Sequence, residues 1–190
     1  SRNHHHRMNS DWITEYAKHK EGIESLQAEV EEAVKFVNDK TPADSQSIVV
    51  SSNHDQALAR WLRETDFRKD PANAEFYLEL AQMVIKTARR THGGVSYDDA
   101  FIIYAKNKKL AKENVRFLRE GESFVLEDVE YTHHGHKGAN GARGSTKNLS
   151  TMGIKVTKGH SHIAEIINGC YSGGTSTGHL EYEGGGPSSH

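Results

Sequence analysis

Five histidines lie between residues 133 and 162: His133, His134 and His136 at one end, His160 and His162 at the other. The intervening run, Lys137 to Gly159, contains no Asp or Glu but carries Lys137, Arg143, Lys147, Lys155 and Lys158. Neutral imidazole is the commonest transition-metal ligand. Two histidines one residue apart at a strand end can point at two ions, or at one ion from two sides. With no carboxylate nearby to compete for positive charge, such a site stays open to an anion. Gly135, Gly138, Gly141 and Gly144 let the loop approach a ligand closely and turn N-H groups toward it. Arg143 and Lys147 are candidates for a phosphate, Arg through its planar fork; a solvated surface loop is the competing reading.

These side chains need strand ends to hold them. Phe124-Val125-Leu126 and Val129 to His133 read as strands, the second delivering His134, and Ile154 to Thr157 reads as a strand ending at Gly159-His160-Ser161-His162. Ser145 or Thr146 can cap a short helix reaching Met152. Asn168-Gly169 between apolar residues predicts a two-residue hairpin. Upstream, Ser47 to Ser51 is a short apolar run feeding Asn53-His54-Asp55 and a helix from Gln56 to Arg63. A strand that ends in polar residues just before a helix is where open α/β sheets put their ligands. Alone, an Asn-His-Asp triplet is common in ordinary turns and caps.

The remaining chain predicts helices. Asn9 or Ser10 can cap a helix whose apolar positions Ile13, Tyr16, Ala17, Ile23, Leu26, Val30, Val34 and Val37 recur at helical spacing. Residues 66 to 128 read as a helical insertion. It has a start at Pro71-Ala72-Asn73, a stop at Gly93-Gly94, and further helices over Tyr97 to Lys108 and Asn114 to Arg119. Lys86, Arg89 and Arg90 are placed to favour the negative end of the first of these helices. Lys106, Lys108, Lys109 and Lys112 read as a solvated helix face in preference to a phosphate track, and His92 carries no functional reading. His4 to His6 read equally as a native run or a tag remnant.

Composition narrows the classes. A net charge of -2 excludes a general polyanion trap, so any nucleic-acid contact must be a local patch. Mean hydropathy of -0.74 and 35% hydrophobic residues predict a thin core. One cysteine, Cys170, allows no internal disulfide, and no apolar run approaches the ~18 residues of a membrane span. The expectation is a reducing, cytoplasmic setting without membrane contact, and Ser1 to Arg7 lacks the apolar core of a signal peptide.

Asn53-His54-Asp55, His134-Gly135-His136 and Gly159-His160-Ser161-His162, in this order and each at a strand end, resemble the later signatures of calcineurin-like metallophosphoesterases. The resemblance covers about residues 47 to 175. The run Gly138 to Ser145 is most similar to phage and prophage members, including T5-like phage DNase-type phosphoesterases; for such a protein the expected location is the host cytoplasm. The family implies an αββα sandwich with a two-metal centre. Here that means residues 1-190 as one partial α/β domain, truncated at its N-terminus, with the helical insertion at 66-128. Carried onto this chain, the pattern has Asn53, His134 and His160 bind one metal and His162 the other. His54, held by Asp55, would stabilise the transition state or protonate the leaving oxygen, while His136, Arg143 and Lys147 would face the substrate. The earlier Asp-x-His and Gly-Asp-x-x-Asp motifs of the family are not in this sequence, and Ser1 is expected to fall just after the second.

The implied cofactors are two divalent transition metal ions, with Mn first and Zn, Fe or Ni as alternatives, because imidazole-rich ligation suits all of these. The implied activity is phosphodiester hydrolysis of DNA. Alternatives are a small-molecule phosphatase or cyclic-nucleotide phosphodiesterase, and a non-catalytic metal-binding interaction module. DNA is the expected partner, and self-association into a homo-oligomer stays open.

Overall fold

A computed structural model of the chain describes residues 11–139 and 144–174. The chain divides into two compact units: residues 1–48 with 54–117, and residues 49–53 with 118–190.

The first unit is mainly helical. Helices α1 (Trp12–Glu21) and α2 (Leu26–Lys40) replace the single helix that the long apolar periodicity predicts. Gly22 ends α1 in the left-handed region at φ 66, where an L side chain would be strained, and α2 restarts at its Ser25 cap. The cap of α1 is Asp11, whose side chain accepts from Ile13 N and Thr14 N. The break leaves Ile13 and Tyr16 exposed, while Leu26, Val30 and Val34 are buried.

Strand β1 (Ser47–Val49) follows, and within this unit Ser47 N-H donates to Asn114 O at 2.9 Å. Next come α3 (Asp55–Glu64), a 3-10 turn at Phe67–Lys69, and α4 (Ala74–Ile85). The buried residues Leu58, Trp61, Phe76, Leu80, Ala100 and Tyr104 belong to one apolar cluster. Within it Trp61 stacks on Phe76 at 5.9 Å between ring centroids, and Phe76 meets Tyr104 edge-on at 5.1 Å. Asn73, fully buried, starts α4 without capping it. Its Oδ1 accepts from Leu26 N at 2.7 Å and its Nδ2 donates to Glu24 O at 3.1 Å, which ties the start of α2 to the start of α4.

The insertion is less helical than its sequence predicts. Gly93 and Gly94 help to turn a hairpin of β2 (Arg89–Thr91) and β3 (Gly94–Ser96), so Arg89 and Arg90 lie on a strand and not at a helix end. Helix α5 (Ala100–Asn107) forms as expected, capped by Asp99. The 114–119 segment instead contains β4 (Val115–Phe117), because its β-branched and aromatic residues suit a pleated surface and it carries too few apolar positions for a helical stripe.

The second unit is a five-stranded sheet in the order β5-β6-β7-β9-β8: β5 (Val125–Leu126), β6 (Val129–His133), β7 (Lys155–Lys158), β8 (Ala164–Ile167) and β9 (Cys170–Gly173). The β6-β7 and β7-β9 pairs are parallel, and both edges are closed by antiparallel hairpins. The Asn168-Gly169 turn forms as the sequence predicts, with φ 46 and 81. Glu127-Asp128 turns the other hairpin with φ 50 and 62. Ser145 caps α6 (Thr146–Leu149), which runs into a 3-10 turn ending at Met152. Leu149, Val156 and Cys170 form the core of this unit, with Met152 against it. The architecture is α/β. Among the described residues no helix is long and apolar enough to cross a membrane.

Candidate functional site

The register of two parallel strands builds the site. His133 on β6 is level with Lys158 on β7, so the turns His134-Gly135-His136 and Gly159-His160-Ser161-His162 leave the same end of the sheet. The ring centroids of His134 and His160 are 5.2 Å apart, those of His134 and His136 5.6 Å, and those of His136 and His160 6.2 Å. Asn53, carried in this unit by residues 49–53, brings its Oδ1 to 2.9 Å from His134 Nε2. Four of the predicted site residues from three separate segments therefore meet.

Two glycines make the approach feasible. Gly135 sits at φ 98, and a Cβ there would lie 2.7 Å from Lys158 Cε and 3.1 Å from Gly159 O. Gly144 closes the loop onto its own start: its N-H donates to His136 O at 3.4 Å, and a Cβ would fall 1.9 Å from Gly135 O. His160 adopts φ 63, a left-handed conformation uncommon for a side-chain-bearing residue and frequent where function holds a backbone in place.

Burial sets the electrostatics. Both ring nitrogens of His136 are buried and without a hydrogen-bond partner among the described residues. Desolvation, and then the Lys137 charge, lower its pKa, so the ring is held neutral. Lys158 is 4% exposed; its Nζ donates to Ser161 Oγ at 3.0 Å, and burial lowers its pKa. Lys137 is engaged by Glu120 in an ion pair. His162 follows in the same turn, half-buried. Lys147 is exposed on α6, while Arg143 and His4 to His6 lie outside the described residues. His54 and Asp55 begin α3 and belong to the first unit. That unit has its own cleft of about 490 Å³, with Glu15, Glu24, Glu64 and Asp70 beside Arg60 and Lys69. In the sequence Lys158 stands as one of several loop cations. Its position, alternating with Val156 on the strand, was the signal that it points inward.

An amide oxygen beside two imidazoles is a donor chemistry that suits a transition ion. Two ligands bound at about 2.1 Å and at right angles stand roughly 3 Å apart, close to the separation of Asn53 Oδ1 and His134 Nε2. His160 is the neighbouring imidazole. Among the described residues no group of three or more His, Cys, Asp and Glu side chains is arranged to hold an ion.

No family model matches the chain, and no solved structure matches it. It is similar to Protein A1 of Escherichia phage T5, with 36% identity over 188 residues that make up 95% of this chain and 32% of that protein. The chain thus spans about a third of the length of the curated relative it matches.

Proposed function

We propose that the chain is part of a metal-dependent phosphoesterase of the αββα type, most simply a phosphodiesterase or nuclease that hydrolyses DNA at a two-metal site. The observation that carries this reading is the convergence of Asn53, His134 and His160 at one sheet end, with the amide oxygen and imidazole nitrogen 2.9 Å apart. Similarity to a phage protein supports the setting.

Asn53, His134 and His160 would hold one ion and His162 the second. When bound, such ions lower the pKa of a water and neutralise charge on a phosphate undergoing in-line displacement. His136, neutral and desolvated, has one N-H to give an acceptor oxygen of the substrate. His54, beside Asp55, would donate a proton to the leaving oxygen. Arg143 and Lys147 would contact flanking phosphates, which position a polynucleotide without reading its bases.

Chelator dialysis followed by add-back of Mn²⁺, Zn²⁺ and Mg²⁺ tests the reading, and full activity in metal-free buffer would sink it. His160→Ala is expected to lose bound metal. His54→Ala should keep its metal and lower turnover on unactivated diesters by ~10² to 10⁴. Equal metal loss in both variants would overturn this division of roles.

A further inference from the structure

Lys158 is an unusual residue to bury. Among the described residues its Nζ donates to Ser161 Oγ and no carboxylate lies within ion-pair distance, Glu165 acting on it only from further away. A buried ammonium without a counter-charge is costly, and proteins retain one where a ligand supplies the missing charge. The side chain bridges both histidine-bearing turns: its stem packs where a Gly135 Cβ would sit, and its head reaches the hydroxyl between His160 and His162. A second, independent observation lies one residue beyond Gly135, where His136 keeps two buried ring nitrogens unpartnered among the described residues. The Lys158 stem thus packs against Gly135 in space, and the unpartnered His136 ring follows Gly135 in sequence.

We infer that Lys158 and His136 form an oxyanion pocket under the histidine turns, which takes the non-bridging oxygens of a phosphate group independently of any metal. The pocket rests on the phosphoesterase reading for the identity of the oxyanion as phosphate, and on geometry alone for its existence. Two donors of this kind match a tetrahedral oxyanion, whose several oxygens can accept from both at once. Gly135 is what permits it, since any side chain there would displace the lysine stem.

The test uses the full chain freed of metal with chelator, titrated with inorganic phosphate by calorimetry. Saturable binding at millimolar phosphate or tighter is expected. Lys158→Met, which keeps the stem and removes the charge, should weaken it at least tenfold; Lys158→Arg should restore most of it, and His136→Phe should weaken it severalfold. Ser161→Ala, which removes the hydrogen bond but no charge, should change it less than about threefold. Should Lys158→Met fail to fold, the Lys158 Cε signal in lysine-labelled wild-type protein decides: a saturable shift with phosphate supports the pocket, and no shift overturns it. Equal phosphate affinity in wild type and Lys158→Met overturns it, as does an equal collapse of binding in Ser161→Ala. Dimethyl phosphate separates the sources. Lys158-dependent binding of this diester identifies the backbone phosphate of a polynucleotide, whereas binding limited to inorganic phosphate identifies the free anion. A chain that hydrolyses no ester yet binds phosphate through Lys158 would defeat the proposed function and leave the pocket standing.

Discussion

The two units bury very different interiors. The described residues of the helical unit close ten apolar side chains, from Leu26 to Tyr104, into one cluster; those of the sheet unit close three, Leu149, Val156 and Cys170. Both bury the same number of polar or charged side chains, with Lys18, Thr41 and Asn73 in the first and Thr146, Lys158 and Ser172 in the second. In the helical unit Asn73 is satisfied on every side by backbone and Asp70. In the sheet unit Thr146 Oγ1 and both His136 nitrogens lack partners among the described residues. Among the described residues Gln56 Nε2 is such a group in the helical unit, but His136, Thr146 and Asn148 gather more of them in the unit with the smaller core, which is the pattern expected where stability has been exchanged for a site.

The sharpest way to break this comparison is Gly144→Ala. With a Cβ 1.9 Å from Gly135 O the loop cannot close, so a loss of roughly 4 kcal/mol is expected together with loss of metal and phosphate binding, read by calorimetry and by hydrogen exchange at residues 129–158. Next in size is Leu80→Ala in the large core, expected to cost about 3 kcal/mol. Both tryptophans, Trp12 and Trp61, lie in the helical unit, so a urea titration followed by tryptophan fluorescence reports it directly.

Tyr104→Phe is smaller, about 1 kcal/mol at neutral pH, and has a pH signature. Hydrogen bonds from Gln27 Nε2 and then from the Tyr104 hydroxyl, 2.8 Å away, hold the Glu31 carboxyl below its ordinary value of 4.5. A carboxylate depressed in the folded state contributes stability that is fully present above the unfolded pKa and is lost as pH falls through the folded one. The difference between wild type and Tyr104→Phe should therefore shrink below pH 4.5, as read from denaturation midpoints. A constant difference would mean that the hydroxyl contributes through packing alone. The smallest expected effect on folding is Lys147→Ala, since the side chain is exposed. It should leave the melting temperature unchanged while lowering the salt slope of duplex-DNA binding by about 0.9. An unchanged slope returns Lys147 to solvated surface.

How much was legible follows from which signals are local. Asn168-Gly169, the Ser145 cap and the strand before His134 are short-range devices, and each forms where its residues predict. The convergence of Asn53, His134, His136 and His160 could be anticipated because each leaves the polar tip of a strand. The break at Gly22 was hidden by an apolar period that runs on through it; the periodicity of Ile13 and Tyr16 suggests burial, yet both are exposed. Gly93-Gly94 signalled a stop and not a hairpin, because the residues flanking them are polar and lack strand alternation. Lys158 was masked by its type, since a lysine among other cations reads as surface until the register with Ser172 turns it inward.

The amide of Asn73 bears on synthesis. Leu26 N-H, at the first turn of α2, is satisfied by a side chain 47 residues further along the chain. At about 5–20 residues per second of translation, that acceptor is made about 2 to 9 s after Leu26, as the 47-residue separation requires. Throughout that interval α2 can rely only on its Ser25 cap, so on the ribosome its first turn stays frayed and accessible to chaperones. It can close only after residue 73 has emerged, and α4, which lies C-terminal to that residue, joins it later still.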